Sequence, residues 1–221
     1  MKKNALCFIA ISFVVLYCGN ALASEKIPFE IENLYNQAVT SLWIKSDIDN
    51  NQPICSVFYW KPQIIADKIE RSYILTAGHC HGEYLRLDYA WWTTFSTHLV
   101  VKTNKMDYCL ISVNDFRTNP VYFKVSRLLK AGEAAYTTKS VLEYGKRIEL
   151  QRLAYIGQND EIGTAVFRGE SPLEKGMSGS PVVSEAGELL GILVMGDIND
   201  RSIYYVLPLV EFIKVFETVK W

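Results

Sequence analysis

The sequence predicts an all-β fold of short antiparallel strands, arranged as a sandwich or a barrel and closed by one C-terminal α-helix. About a dozen short apolar runs, many rich in β-branched and aromatic residues, follow one another without repeats or low-complexity tracts. After the last run, Pro208 precedes Leu209, Phe212, Ile213 and Phe216, whose spacing is that of an amphipathic helix.

Each predicted strand is a short run of mainly apolar residues, and polar or turn-forming residues separate one run from the next. In chain order they are Ser41–Ile44, Cys55–Trp60, Ser72–Thr76, Trp91–Phe95, Leu99–Val101, Tyr108–Val113, Ala134–Thr137, Arg147–Ile156, Thr164–Phe167, Pro181–Ser184, Leu189–Met195 and Ile203–Leu207. The helix is expected over residues 208–220.

Composition narrows the class of protein. The chain has 221 residues, of which 49% are hydrophobic and 21% charged, as expected for one globular unit or two small fused halves. The formal net charge is −1, and no basic run exceeds Lys2-Lys3. This balance argues against a nucleic-acid-binding surface.

The N-terminal residues read as a secretory signal. Lys2 and Lys3 form a basic start, residues 6–17 are almost entirely apolar, and Ala21 and Ala23 stand where a signal peptidase reads small residues. The apolar run is shorter than the ~20 residues that cross a bilayer, which disfavours an uncleaved anchor. We expect cleavage of residues 1–23, a mature domain over residues 24–221 without stable membrane insertion, and a bacterial periplasmic or secreted location.

The cysteines agree with export. Cys80 follows a histidine, and Cys55 lies upstream in a predicted strand. A Cys55–Cys80 disulfide would tie the histidine's loop to that strand in an oxidising compartment, leaving Cys109 as a small buried hydrophobic residue. The segment His79-Cys80-His81 could suggest a metal site. No second ligand cluster with zinc spacing accompanies it, so neither a metal nor another cofactor is expected.

Three motifs carry the chemistry. Thr76-Ala77-Gly78-His79-Cys80 follows a predicted strand, Asp107 opens the apolar run Tyr108–Val113, and Ser178 lies in Gly176-Met177-Ser178-Gly179-Ser180-Pro181. A serine hydroxyl attacks a carbonyl only when a positioned base accepts its proton. The order His79, Asp107, Ser178 is one of the three known chain orders of a Ser-His-Asp triad.

Two other aspartates compete for the role of the acid. Asp88 comes only nine residues after His79, too soon for the chain to leave the loop, form a strand and return. Asp115 ends an apolar run and reads as a turn residue. Asp107 is favoured because it opens a strand 28 residues after the histidine, where a buried acid could hold the imidazole.

On these motifs the chain resembles a chymotrypsin-like (trypsin-fold) serine endopeptidase of the bacterial kind, over residues 30–221. The resemblance implies two antiparallel six-stranded β-barrels, about residues 30–120 and 121–207, followed by the helix. It also implies that Ser178 is the nucleophile, His79 the base and Asp107 the orienting acid. The backbone N–H groups of Gly176 and Ser178 would form the oxyanion hole.

The same resemblance bears on substrate choice. Pro172 stands where trypsin carries the aspartate that selects Arg or Lys, and Val194, Met195 and Gly196 would line a largely apolar groove. We therefore expect small or medium apolar side chains before the scissile bond, unless Glu174 or Asp197 turns into the pocket. Met177 replaces the aspartate that captures a new N-terminus in zymogens. Activity should therefore not depend on N-terminal insertion.

The expected partner is a protein or peptide substrate. Two other functions fit the same sequence: a secreted binding or inhibitor module that kept the fold and lost turnover, and a processing protease dedicated to one partner protein. Labelling by a serine-directed fluorophosphonate separates enzyme from binder, and digestion of casein separates a general from a dedicated protease.

Overall fold

Thirteen β-strands and two α-helices form the part of the chain that the computed structural model describes, residues 26–44, 55–60, 72–80, 85–89, 92–94, 97–102, 107–113, 123–126, 129–139 and 148–218. The predicted signal peptide, residues 1–23, lies outside these ranges. Neither described helix has the length and apolar character required to cross a lipid bilayer.

The first seven strands make one antiparallel sheet. They are β1 (Val39–Ile44), β2 (Cys55–Tyr59), β3 (Ser72–Ala77), β4 (Leu85–Tyr89), β5 (Trp92–Thr94), β6 (Thr97–Lys102) and β7 (Tyr108–Val113). Their order across the sheet is β5-β4-β1-β2-β3-β7-β6, and every pairing is antiparallel.

The last six strands close into a barrel. They are β8 (Ala134–Thr138), β9 (Leu150–Asn159), β10 (Thr164–Gly169), β11 (Pro181–Ser184), β12 (Leu189–Gly196) and β13 (Ile203–Pro208). Their order is β10-β13-β12-β11-β8-β9. The prediction of two six-stranded barrels is thus confirmed for the second barrel. In the described residues the first group is a seven-stranded sheet with β5 and β6 at its edges.

All twelve predicted strands are present, and the predicted C-terminal helix is α2, Leu209–Thr218. Two elements were not predicted, β4 and the helix α1, Phe29–Ala38. Helix α1 begins where the carbonyl of Pro28 accepts the N–H groups of Ile31 and Glu32 at 3.1 and 3.2 Å. Glu30 and Glu32 lie in its first turn, where carboxylates favour the helix dipole.

Buried aromatic residues join the two halves of the molecule. The Tyr35 hydroxyl of α1 lies 2.6 Å from the carbonyl oxygen of Tyr136 and 2.8 Å from that of Pro181. The Tyr108 hydroxyl of β7 donates to the carbonyl of Leu207 at 2.7 Å. Burial raises the pKa of both tyrosines well above the ordinary value, which keeps both hydroxyls protonated as donors.

Candidate active site

The pairing of β3 with β7 brings His79 and Asp107 together. Ala77 is opposite Tyr108 in the antiparallel register, so the residues just after β3 lie beside the residue just before β7. A 3₁₀ turn, Gly78–Cys80, then presents the histidine. The sequence spacing of 28 residues between His79 and Asp107 therefore becomes a direct side-chain contact.

One carboxylate holds both the backbone and the ring of His79. Asp107 Oδ1 accepts the backbone N–H of His79 at 2.6 Å, and Oδ2 lies 2.5 Å from His79 Nδ1. The Asp107 carbonyl also accepts the N–H of Gly78 at 2.7 Å. An ionised carboxylate only accepts hydrogen bonds, so Nδ1 carries a proton and Nε2 of the neutral ring is left with its lone pair.

The acid is less buried than expected. The Asp107 side chain is 31% exposed and that of His79 is 49% exposed. Asp107 directly precedes β7 and His79 lies in the 3₁₀ turn after β3, so both side chains lie just outside the strands of the sheet. Asp88, one of the competing aspartates, lies within β4 opposite Ser41 and Thr93. Asp115 lies outside the described residues.

A disulfide joins Cys55 at the start of β2 to Cys80, the residue after His79. Their Cα atoms are 6.1 Å apart, and the bridge fastens the histidine's turn to the neighbouring strand. The two sulfurs and His79 form a compact cluster, but sulfurs engaged in a disulfide offer no thiolate to a metal. Cys109 is a buried thiol outside the disulfide, as predicted.

Ser178 lies in a segment of two consecutive turns, residues 174–180, which we call the serine loop. Met177 N–H donates to the Glu174 carbonyl at 3.3 Å, and Ser180 N–H donates to the Met177 carbonyl at 3.0 Å. Gly176 and Gly179 occupy the third position of each turn, with φ values of +94° and +85°. Both turns are thus of the type that requires glycine at this position.

The serine loop leaves two N–H groups available. Within the part of the chain that the structure describes, the N–H groups of Gly176 and Ser178 have no protein acceptor. Unpaired donors on adjacent turns are the arrangement that binds an oxyanion. The Ser178 hydroxyl donates to the carbonyl of Val194 at 3.2 Å, and no hydrogen bond between the described atoms of Ser178 and His79 is present.

Two buried residues that sequence reasoning missed support the serine loop. Ser56 in β2 donates its N–H to the Ser178 carbonyl at 2.8 Å and its hydroxyl to the Gly176 carbonyl at 3.1 Å. Thr76 in β3 donates its hydroxyl to the Ser56 carbonyl at 2.8 Å. A Cβ at Gly179 would overlap both the Ser56 carbonyl and the Thr76 hydroxyl, so glycine is required there for space as well as for φ.

The residues expected to line the groove lie on two neighbouring segments. Pro172 is exposed on the strand-free stretch before the serine loop, and Met195 is 46% exposed near the end of β12. The Val194 side chain is buried in the core, so its backbone carbonyl is what faces Ser178. A Cβ on Gly196 would lie 2.8 Å from Leu173 Cδ2, so the Leu173 side chain of the first segment packs against the second segment at Gly196.

Asp197 is held in the turn between β12 and β13. Its Oδ1 accepts the N–H groups of Asn199 and Asp200 at 2.7 and 3.1 Å, and its Oδ2 accepts the Tyr205 hydroxyl at 3.0 Å. These hydrogen bonds, the one from Asn199 first, lower the pKa of Asp197 below its ordinary value. The carboxylate is thus engaged within its own hairpin.

The comparisons with known proteins agree with this geometry. A family model, "Trypsin-like peptidase domain", matches residues 55–192, more than half of the chain. The matched region includes His79, Asp107 and Ser178. No curated protein matches the chain.

Solved protease structures share the fold. The serine endoprotease from Yersinia pestis has a TM-score of 0.63 and 17% identity, with 87% of this chain covering 67% of that one. The inactive form of the Rv3671c protease of M. tuberculosis has a TM-score of 0.64 and 14% identity, and the match covers 87% of this chain and 93% of that one. The HtrA-type protease AlgW with a decapeptide has a TM-score of 0.62 and 15% identity, and the match covers 85% of this chain and 66% of that one.

At these identities the structural neighbours establish the fold, and the family model establishes descent. The closed barrel, the C-terminal helix and the order of the motifs agree with both. The chain therefore belongs to the trypsin-like peptidase domain family, and its fold is that of the chymotrypsin-like serine proteases.

Proposed function

We propose that this protein is a periplasmic or secreted serine endopeptidase that hydrolyses peptide bonds through a Ser178-His79-Asp107 triad and an acyl-enzyme. The observation that carries the proposal is the pair of hydrogen bonds that His79 donates to the Asp107 carboxylate, which leaves Nε2 free to act as a base. The proposal includes that the seven-stranded sheet corresponds to the first of the two β-barrels of a chymotrypsin-like protease.

The mechanism follows from the protonation states. Ser178 Oγ attacks the scissile carbonyl carbon while His79 Nε2 takes its proton, and Asp107 stabilises the imidazolium. The carbonyl oxygen becomes an oxyanion that accepts the N–H groups of Gly176 and Ser178. His79 then protonates the leaving amine. Water next attacks the resulting Ser178 ester, His79 takes a proton from that water, and the proton returns to Ser178 Oγ as the acid product leaves.

The Ser178 hydroxyl starts from a resting position. It donates to the Val194 carbonyl at 3.2 Å, so its side chain must rotate toward His79 before attack. Catalytic hydrogen bonds are often long or misaligned without substrate and tighten in the complex.

The substrate is a protein or peptide. Two HtrA-type structures of the same fold hold a decapeptide or a tripeptide, which supports a peptide-binding cleft in this chain. The apolar Met195, the packing of Leu173 on Gly196 and the engagement of Asp197 within its hairpin favour a small or medium apolar side chain before the scissile bond. A buried Arg or Lys there would lack a counter-charge, which is costly.

The location rests on residues 1–23 and on the disulfide. The basic start, apolar run and small residues of the N-terminus are typical of a cleaved signal. The Cys55–Cys80 bridge fits an oxidising compartment such as a periplasm or the extracellular space.

Digestion of fluorescently labelled casein by the mature protein tests the proposed activity, with Ser178→Ala as control. We expect hydrolysis by the wild type and none by the variant. Casein that stays intact while a fluorophosphonate still labels Ser178 would point to a dedicated processing protease. Intact casein with no labelling would contradict the enzyme and favour the binding module.

A further inference from the structure

Ser56 uses every one of its polar groups on the active-site segments. The residue is 1% exposed, in the second position of β2. Its N–H donates to the Ser178 carbonyl at 2.8 Å, its hydroxyl donates to the Gly176 carbonyl at 3.1 Å, and its carbonyl accepts the Thr76 hydroxyl at 2.8 Å. A single buried residue thus holds two points of the serine loop.

Those two points flank the Ser178 N–H, one of the two proposed oxyanion donors, and lie next to the other, the Gly176 N–H. The Gly176 and Ser178 carbonyls lie on either side of the peptide unit that carries the Ser178 N–H. Peptide units are planar, so fixing the flanking carbonyls limits the rotation of the unit between them. Gly176 is the third residue of the turn that Glu174 and Met177 close. Its carbonyl belongs to the peptide unit next to the one that carries the Gly176 N–H. Holding it therefore restrains both proposed oxyanion donors.

The hydroxyl of Ser56 is not needed to build the sheet. Residue 56 lies opposite Ser41 of β1, and the ladder is made by backbone groups alone. The side chain instead reaches across to a segment 120 residues further along the sequence. A buried hydroxyl is costly unless it is hydrogen-bonded, so its position against Gly176 calls for a role in the serine loop.

Thr76 extends the contact toward the histidine. Thr76 is part of β3, three residues before His79, and its hydroxyl meets the Ser56 carbonyl beside the space left by Gly179. The chain of hydrogen bonds from Thr76 through Ser56 to Gly176 therefore connects the strand of the base with the loop of the nucleophile.

We propose that Ser56 is a positioning residue that sets the oxyanion donors of the serine loop against the histidine strand. This inference rests on the proposed peptidase function. It predicts that the Ser56 hydroxyl contributes to turnover and to attack by Ser178 more than to substrate affinity or to the stability of the fold.

The test compares Ser56→Ala with Thr137→Val in the full mature protein. Thr137 is also buried, and its hydroxyl donates to the Pro181 carbonyl at 2.9 Å outside the serine loop. Both variants remove one buried hydroxyl that bonds a backbone carbonyl. The readouts are kcat and KM on labelled casein, the rate of labelling by a fluorophosphonate, and the melting temperature.

For Ser56→Ala we expect kcat and the labelling rate to fall by about tenfold, with KM nearly unchanged, since a shifted donor should cost less than the 10²–10³-fold of a lost one. Thr137→Val should lower the melting temperature at least as much without this loss. Ser56→Thr, which restores the hydroxyl, should recover most of the rate. Equal rate losses in Ser56→Ala and Thr137→Val would overturn the inference.

If Ser56→Ala does not fold, Thr76→Val decides the question, because it removes the next bond of the chain with little change in shape. Its labelling rate must then fall more than that of Thr137→Val, and an equal rate would refute the role of Ser56. A wild type that fluorophosphonate does not label would instead count against the proposed function itself.

Discussion

At the scale of single residues, the Asp107 carboxylate does most to define the site. Its two oxygens are assigned to different groups of His79, Oδ1 to the backbone N–H and Oδ2 to the ring nitrogen. This division fixes both where the imidazole lies and which of its nitrogens carries the proton.

Asp107→Asn should lower kcat by about 10⁴-fold. The side-chain oxygen of the asparagine would remain on the backbone N–H of His79, so its NH₂ would face Nδ1 and force the proton onto Nε2. The measurement is kcat on labelled casein. Asp88→Asn is the matched control, and a larger loss in that variant would mean that Asp107 is not the acid.

The proposed substrate preference also depends on single residues. Leu173 packs against Gly196, and the Asp197 carboxylate accepts hydrogen bonds from Asn199, Asp200 and Tyr205. Proteome peptides digested by the mature protein should therefore show apolar residues before the cleaved bond. The preference should be broad, because one methylene discriminates by only about 1–3 kcal/mol. Dominant cleavage after Arg or Lys would contradict this prediction.

Some of these residues could be predicted from the sequence and others could not. His79, Asp107 and Ser178 each stand in a local motif, and the contact between His79 and Asp107 then follows from the register of β3 and β7. Ser56 carries no such signal. Its partner Gly176 is 120 residues away, and a serine in an apolar strand is an ordinary local pattern until the opposite backbone is placed.

At the scale of elements, the serine loop depends on glycine conformation. Gly176→Ala places a side chain at φ +94°, and relief of that strain should flip the preceding peptide and turn the Gly176 N–H away from the proposed oxyanion hole. We expect kcat to fall by about 10²–10³-fold.

Gly132→Ala is the control for this variant. Gly132 has a similar φ of +88° and open space around it, in a turn outside the site. It should lose stability but keep its activity. A comparable loss of kcat in both variants would show that general strain, not the orientation of the donor, is responsible.

The Cys55–Cys80 disulfide is the second feature at the scale of elements. Removing it in Cys55→Ala/Cys80→Ala opens a loop with a sequence separation of 25 residues, which should cost about 3.5 kcal/mol of unfolding free energy. Denaturant unfolding measures this cost. Cys109→Ala loses a buried sulfur without a crosslink, and an equal loss in that variant would contradict a contribution from the crosslink.

The elements themselves were largely predictable. Strands of β-branched and aromatic residues such as Tyr108–Val113 are found as expected because burial and local preference agree. Strand β4 was missed because Arg86 and Asp88 interrupt its apolar run. Helix α1 did carry a signal, since Ile31, Tyr35 and Ala38 are spaced as one buried helical face.

At the scale of the whole molecule, α2 packs against strands β2 and β7 of the first sheet, next to the candidate site. The Phe212 ring packs against Trp60 at the end of β2 and against Tyr108, the residue after Asp107, with ring centroids 5.6 and 4.6 Å apart. Phe212 is fully buried. The C-terminal helix thus packs against the end of β2 and the start of β7, next to Asp107.

Phe212→Ala should destabilise the protein by about 3–5 kcal/mol, because a large buried ring leaves a cavity that the neighbours fill only in part. Val210→Ala, at a half-buried position of the same helix, should cost far less. Thermal or denaturant unfolding compares the two, and similar losses would indicate that α2 contributes through helix formation more than through this contact.

The central claim is that Ser178, activated by His79, is the nucleophile of a peptidase. Mass spectrometry of the mature protein after treatment with a fluorophosphonate tests it most directly. We expect one covalent adduct, on the peptide that contains Ser178, and its loss in both Ser178→Ala and His79→Ala while each variant remains folded. An unmodified wild type, or an adduct that persists in His79→Ala at the wild-type rate, would contradict the claim.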